Sequence, residues 1–369
     1  MHLWQKITRL KAPYLWSQPL SSWFQAGSLK RFVSLFLVGV SLSVAIAACS
    51  SGNNNNTAAN KGDVELTLVS FAVTKAAHDK IIPKFVEQWK KEHNQNVTFQ
   101  QSYGGSGSQT RAVIDGLEAD VVHLALALDT KKIEKAGLIQ PGWEQEAPND
   151  AIVSKSVAAI VTREGNPKGI KTWADLTRPD VKVITANPKT SGGARWNFLA
   201  VWGAVSKTGG DEKKAEDFTT KVYKNVPVLP KDAREASDVF FKQGQGDALI
   251  NYENEMILAA QQGEKLPYVV PDVNISIDNP IAVVDKNVDK NGNREVAEAF
   301  VKFLYTPEAQ REFAKVGFRP VDPTVEQEVA SQYPKVETLF TVKDLGGWDE
   351  IQKKFFDDGA VFDKMQASK

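Results

Sequence analysis

Apolar and polar residues alternate in VELTLVSF, from Val64 to Phe71, with the two-residue period of a β-strand. From Thr74 to His93 the period changes, and Ile81, Ile82, Phe85, Val86 and Trp89 fall on one face of a helix. VTFQQSY then leads through Gly104-Gly105-Ser106-Gly107 into a helix beginning near Ser108, and VVHLALAL reads as a strand buried on both faces. SVAAIVTRE and KVITAN continue the series. YVVPDVNISID and PIAVVDKN read as strands leading back toward the first sheet, and VAEAFVKFLYTPEAQREFAKVGF has helical spacing. Strands alternating with helices predict an α/β protein with mostly parallel sheets, and 369 residues are enough for two lobes rather than one large sheet. The expected layout is a first lobe over 63–153, a second over 154–270, and a return to the first lobe with C-terminal helices over 271–369.

The start of the chain follows another logic. SLKRFVSLFLVGVSLSVAIAAC, from Ser28 to Cys49, sets the basic pair Lys30 and Arg31 before an apolar run from Phe32 to Ala47 and then small residues. That order predicts an export signal over 1–48, since the run is shorter than the roughly 20 residues a spanning helix needs. Ile46-Ala47-Ala48-Cys49 resembles the bacterial lipobox, so the chain's single cysteine, Cys49, is expected to carry lipid and to tether an exported, periplasmic protein to a membrane. Residues 49–62, rich in Asn, Ser and Gly, read as a flexible linker. One cysteine leaves no internal disulfide framework. The 45 basic and 45 acidic residues balance, but five bases and no acids lie in the first 48 positions, so the exported part is net acidic. That argues against a nucleic-acid partner bound by counterion release.

Candidate chemistry concentrates where strands give way to helices, because a helix N-terminus carries unpaired N–H donors and a partial positive charge. Four such junctions stand out. They are Phe71-Ala72-Val73-Thr74, with Thr74 expected to cap a helix; Tyr103-Gly104-Gly105-Ser106-Gly107-Ser108; Asn187 to Trp196, where successive N–H groups at Ser191, Gly192 and Gly193 can form an anion-binding concavity; and Pro230 to Glu235, where Asp232 caps a helix running through Val239 and Phe240. In open α/β sheets ligands bind at the carboxyl ends of the strands, where all four lie.

Four strings, TLVSF with Thr74, QSYGGSGSQ with GLEADVVHLALALD, NPKTSGGARWNFLAVWG, and GDALINYENE, resemble the periplasmic sulfate-binding proteins of ABC transporters. The resemblance runs from about Val64 to about Pro320. It implies a type II periplasmic binding fold, two α/β lobes joined by a hinge that close on one buried anion and present it to a permease. It further implies that sulfate or thiosulfate is held by the hydroxyl of Ser106, the backbone and hydroxyl of Ser191, and the N–H groups of Gly192, Gly193 and Ala233. Two positions depart from the family. Its usual Asp and Pro beside the donor at Ala72 are absent, and Tyr252 stands where a tryptophan N–H is usual. No cofactor or metal is implied, and the expected state is a monomer with no catalytic activity.

A donor-only pocket suits sulfate, which is fully ionised at neutral pH, whereas phosphate keeps a proton that needs an acceptor. Phosphate or molybdate binding remains open, because Asp232 and Glu253 lie close in sequence to the junctions. Arg195 and Arg234 read either as support for the site or as exposed ion pairs. An exported serine hydrolase is a further alternative, but Gly104-Gly105-Ser106-Gly107-Ser108 misses the G-x-S-x-G elbow by its last residue. Of the histidines beyond the expected export signal, His78, His93 and His123, none sits beside a motif that would orient it as a base, and His123 reads as core. Trp89, Trp143, Trp196 and Trp202 read as core or hinge surface.

Overall fold

A computed structural model describes residues 62–368. The expected export signal, Cys49 and nearly all of the expected linker lie outside them. The first strand, β1 (Val64–Phe71), is followed by a short 3-10 turn at Ala72–Thr74 and by α1 (Lys75–His93). Next come β2 (Val97–Gly104), α2 (Ser106–Ile114), β3 (Val121–His123), α3 (Ala127–Lys135) and β4 (Ile152–Ser156). A second body opens with β5 (Ala158–Thr162) and β6 (Val183–Ile184). It continues through α4 (Gly192–Ser206), α5 (Glu212–Lys224), α6 (Ala233–Phe241), β7 (Ala248–Tyr252), α7 (Glu253–Gln261) and β8 (Tyr268–Val269). After β9 (Val273–Ile275), β10 (Ile277–Val283) rejoins the first sheet. It leads to α8 (Asp285–Asn291), α9 (Arg294–Phe303), α10 (Pro307–Lys315) and α11 (Pro323–Val329). The chain ends with β11 (Thr338–Phe340), α12 (Trp348–Ile351), a π turn at Gln352–Phe356, and α13 (Val361–Ala367).

The two main sheets have the strand orders β2-β1-β3-β10-β4 and β6-β7-β5-β8. β1 runs parallel to β2 and β3, and β6 parallel to β7, as the alternation of strands and helices predicts. The sheets are nonetheless mixed. β10 is antiparallel to β3 and β4, and β5 is antiparallel to β7 and β8, because these strands enter their sheets from the other lobe rather than through a crossover helix. The chain crosses between the sheets at Val157 and again near Ser276. At both crossings an asparagine side chain stands in for backbone. Asn274 accepts from Ala158 N–H at 3.1 Å and donates to Ala158 O at 2.8 Å, and Asn279 donates to Ala125 O at 3.0 Å.

Hydrophobic periodicity accounts for most of these elements, and the departures have local causes. β1 alternates only over its first half, after which helices cover both faces and Val69 to Phe71 are all buried. The apolar run VVHLALAL is not one strand. It pairs only as far as His123, and Ala127 and Leu128 already belong to α3. α2 starts at Ser106, two residues before the expected position, with Gly105 as its N-cap. Thr306-Pro307 divides the C-terminal helical pattern into α9 and α10, the threonine capping Ala309 N–H at 3.3 Å. The closing segment packs on α4 and α5, where Phe355, Phe356 and Phe362 surround Phe198 and Tyr223. Trp89, Trp143, Trp196 and Trp202 are all buried.

Candidate functional site

The four junctions meet at one small pocket between the sheets. Its lining comprises Phe71, Ala72 and Val73 from the end of β1, Gly104, Gly105 and Ser106 at the start of α2, Ser191, Gly192 and Gly193 at the start of α4, Asp232 and Ala233 at the start of α6, and Tyr252 at the end of β7. All seven sequence-derived ligand candidates are therefore neighbours: Ala72, Ser106, Ser191, Gly192, Gly193, Ala233 and Tyr252. Each helix leaves the N–H groups of its first residues without intrahelical acceptors, and the pocket gathers those of α2, α4 and α6 with the 3-10 turn at Ala72. The partial positive ends of several dipoles converge there without a cationic side chain in the lining.

The hydrogen bonds decide which donors remain free. Ser191 N–H is spent, donating to Asn187 O at 2.8 Å in the turn that precedes α4. Its hydroxyl accepts from Ala194 N–H at 3.2 Å, which leaves the hydroxyl proton for the pocket. The concavity thus consists of Gly192 and Gly193 N–H with Ser191 Oγ, one amide fewer than the sequence suggests. Ser106 is corrected more strongly. Its Oγ donates to Asp129 Oδ2 at 2.7 Å and accepts from Ala125 N–H at 3.0 Å, so what it offers the pocket is its backbone N–H. The same bond takes Ser106 away from hydrolase chemistry, since its proton goes to a carboxylate and not to a histidine. Thr74 is no side-chain cap. It has helical backbone angles, and its hydroxyl turns back to Phe71 O at 2.7 Å.

Tyr252 is the clearest candidate donor. Its ring is buried, its hydroxyl has no partner, and that hydroxyl would lie 3.1 Å from a Cβ placed on Gly193. Burial, reinforced by the Glu255 and Asp129 carboxylates, holds the phenol well above its ordinary pKa, so it keeps a proton to donate. Asp232 caps α6 through Glu235 N–H at 2.9 Å. Glu253 is buried in a two-bond pair with Arg319 at 2.8 and 3.1 Å; burial pushes its carboxyl up while the guanidinium pulls it down. Both Glu253 oxygens are spent on Arg319, whereas Asp232, which lines the pocket, gives one oxygen to its own helix.

Sequence reasoning missed Asp129, which is completely buried beneath Ser106 and faces Arg195 at 3.6 Å and Lys132 at 3.6 Å. Its one sequence signal is an acid placed in the first turn of α3 directly after an apolar run. Arg195 is buried, joining α4 of one lobe to α3 of the other, whereas Arg234 pairs with Glu255 at 2.7 Å within its own lobe. Trp196 Nε1 donates to Ala125 O at 2.8 Å, a second bond between the lobes. The lobes are closed on each other: a Cβ on Gly105 would lie 2.5 Å from Thr190 O, and one on Gly192 would lie 2.6 Å from Ala125 Cβ.

Beneath the loop at Phe71 lies a second buried polar cluster. His78 Nε2 and His123 Nδ1 are 3.1 Å apart, and His78 Nδ1 is 3.0 Å from Tyr103 Oη. Burial, with a smaller contribution from Lys75, lowers His78 to about 3. Burial and the neighbouring His78 keep His123 well below its ordinary value. Both are therefore neutral core residues at neutral pH. Among the described residues no three His, Cys, Asp or Glu side chains gather to hold a metal ion.

Residues 66–319 match the family model described as bacterial extracellular solute-binding protein. The chain belongs to that family. Among its relatives, a protein named sulfate-binding protein from Synechococcus elongatus is 60% identical over 92% of this chain and 97% of its own length. The sulfate-binding protein of Escherichia coli is 43% identical, over 82% and 93%, and a thiosulfate-binding protein of Pseudomonas aeruginosa 39%, over 80% and 90%. In three dimensions the chain is similar to the sulfate-binding protein SubI of Mycobacterium tuberculosis, with a TM-score of 0.74 and 38% identity over 80% of this chain and 100% of that one. A more distant periplasmic binding protein, AfuA of Actinobacillus pleuropneumoniae, shares the two-lobed fold at a TM-score of 0.54 and 17% identity. The family accords with a pocket formed where two lobes meet.

Proposed function

We propose that this solute-binding protein captures sulfate, with thiosulfate as the close analogue, in the pocket between its lobes and delivers it to the membrane subunits of an ABC transporter. The observation that carries the reading is the convergence of unpaired helix N-terminal N–H groups and the unpartnered Tyr252 hydroxyl on a pocket with no cationic side chain in its lining, with Glu253 held away in its pair with Arg319. A buried dianion needs every oxygen met by donors, and each bond to the charged ligand contributes about 1.5 to 3 kcal/mol. The ligand set in this reading is the N–H groups of Ala72, Ser106, Gly192, Gly193 and Ala233 with the hydroxyls of Ser191 and Tyr252. Relatives named for sulfate and thiosulfate support the choice of anion.

The protein acts by closure rather than catalysis: the closed state, which carries the contacts from both lobes, is the form a permease can recognise. In this reading one lobe runs to the crossing at Val157 and resumes near Ser276 and the other lies between, so the expected bounds at 153/154 and 270/271 each shift a few residues along the chain. An acylated Cys49 tethers a monomer to the membrane of the periplasmic space through the linker over 49–62. Calorimetric titration with sulfate, thiosulfate, molybdate and phosphate, after dialysis to strip bound anion, tests the proposal. Tight sulfate binding with phosphate silent is expected. Phosphate binding with sulfate silent would require an acceptor facing the ligand and overturn the reading.

A further inference from the structure

The turn that presents Gly192 and Gly193 is gripped from outside the pocket by the end of the chain. Lys189 lies two residues before Ser191, and its ammonium donates to Phe356 O at 3.0 Å and Asp357 O at 3.4 Å. It also pairs with Asp363 Oδ2 at 2.9 Å and Asp358 Oδ1 at 3.5 Å. The two carbonyls lie at the end of the π turn at Gln352–Phe356, and Asp357 O also accepts Ala360 N–H at 3.0 Å. Asp363 is itself fixed, since it accepts Gly359 N–H at 2.8 Å. On the far side of the glycines, the Arg195 guanidinium lies 5.4 Å from the centre of the Phe356 ring, and its Nε donates to Pro188 O at 2.9 Å. Inside the turn Asn187 holds Lys189 N–H at 2.9 Å through its side chain, and Thr190 Oγ1 donates to Lys231 O at 2.6 Å.

We infer that Lys189 and Asp363 are positioning residues, through which the C-terminal segment holds the turn at Ser191 to Gly193 in its anion-binding geometry before the ligand arrives. The inference rests on the oxyanion reading above. Glycine has the widest backbone freedom of any residue, and two in succession would have to be ordered by the ligand at a cost in affinity. Held in advance, their N–H dipoles are already aimed and cost no reorganisation. The competing account is that Lys189 draws the anion by its charge. The two accounts give opposite signs for Asp363→Asn, which leaves the ammonium in place and removes a negative charge near the site. Attraction predicts tighter sulfate binding and positioning predicts weaker.

The test compares Lys189→Met, Lys189→Arg and Asp363→Asn with the unaltered protein, by calorimetric titration with sulfate and by backbone amide order parameters at Gly192 and Gly193 without anion. Positioning predicts about tenfold weaker sulfate binding for Lys189→Met and for Asp363→Asn, a change near 1.4 kcal/mol. It also predicts lower order parameters at both glycines, and recovery of most of the affinity in Lys189→Arg. Asp363→Asn binding sulfate as tightly as the unaltered protein, or more tightly, overturns the inference, as do unchanged order parameters. If the unaltered protein binds no sulfate, the functional reading fails instead, and the order parameters still decide whether the C-terminal segment holds the turn. Should Lys189→Met not fold, Asp363→Asn alone decides between the two accounts.

Discussion

Gly192→Ala gives the sharpest test of closure. A Cβ at that position would lie 2.6 Å from Ala125 Cβ, 2.7 Å from Leu126 Cδ2 and 3.1 Å from Ser106 Cβ. Carbon atoms in good contact stay about 3.5 to 4.0 Å apart, so the closest approach falls short by roughly 1 Å. All three neighbours follow strands of the first sheet, whereas Gly192 opens a helix of the second. The strain therefore exists only when the lobes are shut, and the free protein relieves it by opening. Overpacking of this kind costs about 1 to 3 kcal/mol. Charged wholly against the closed state, that is roughly a 5- to 150-fold loss of sulfate affinity. Titration calorimetry gives the affinity, and small-angle scattering with and without sulfate gives compactness. The expected variant melts like the unaltered protein when free but gains less from sulfate in both assays. An affinity within twofold of the unaltered protein would refute the argument that Gly192 is required by the approach of the two lobes. Gly105→Ala, whose Cβ would meet Thr190 O at 2.5 Å, makes the same prediction from the opposite lobe.

Tyr252→Phe removes an unpartnered buried hydroxyl, so it is expected to weaken sulfate binding roughly 10- to 100-fold while leaving the melting temperature of the anion-free protein unchanged or raised. A fall in both would mean that the phenol serves the fold. Glu253→Gln leaves Arg319 without its buried partner and should cost about 3 kcal/mol in urea unfolding, yet confer no phosphate binding in titration. A gain of phosphate binding would show that this side chain bears on the anion. His78 is neutral in the folded protein down to about pH 3 but takes a proton near 6.5 when unfolded. Its folded value is depressed, so its contribution is fully present above pH 6.5 and is lost as pH falls from there toward 3, as the unfolded state binds the extra proton. Urea midpoints should therefore decline over that window, and His78→Gln should flatten the decline; an unchanged slope would exclude the buried imidazole as its source.

Much of the site was legible along the chain because its donors are local. A helix N-terminus is announced by the glycines, serines and aspartate around it: helices start within the junctions at 104–107, 187–196 and 230–235, and Asp232 caps its helix as expected. The parallel pairing of β1 with β2 and β3 was legible for the same reason, as successive strands joined by helices. The antiparallel entry of β10 was not, since nothing in PIAVVDKN records from which lobe the chain arrives. The resemblance to sulfate-binding proteins assigned the Ser106 hydroxyl to the ligand, and the acceptor that claims its proton, Asp129, lies 23 residues away on another helix. Asp232 and Glu253 looked available as acceptors. The first spends one oxygen on its own helix, and the second gives both to Arg319, 66 residues on.

Local sequence set most of the alternation of strands and helices, the places where helix N-termini stand, and the residue types able to meet an anion there. Those properties follow from periodicity, capping and backbone freedom, each settled within a few residues. Packing in three dimensions brings the four junctions to one pocket, requires glycine at 192 because Ala125 and Leu126 close on it, and sets which polar groups are already spent. The availability of a hydrogen-bond donor is a property of what packs around it, and at Ser106, Ser191 and Tyr252 the packing differs although the sequence offers a hydroxyl at all three.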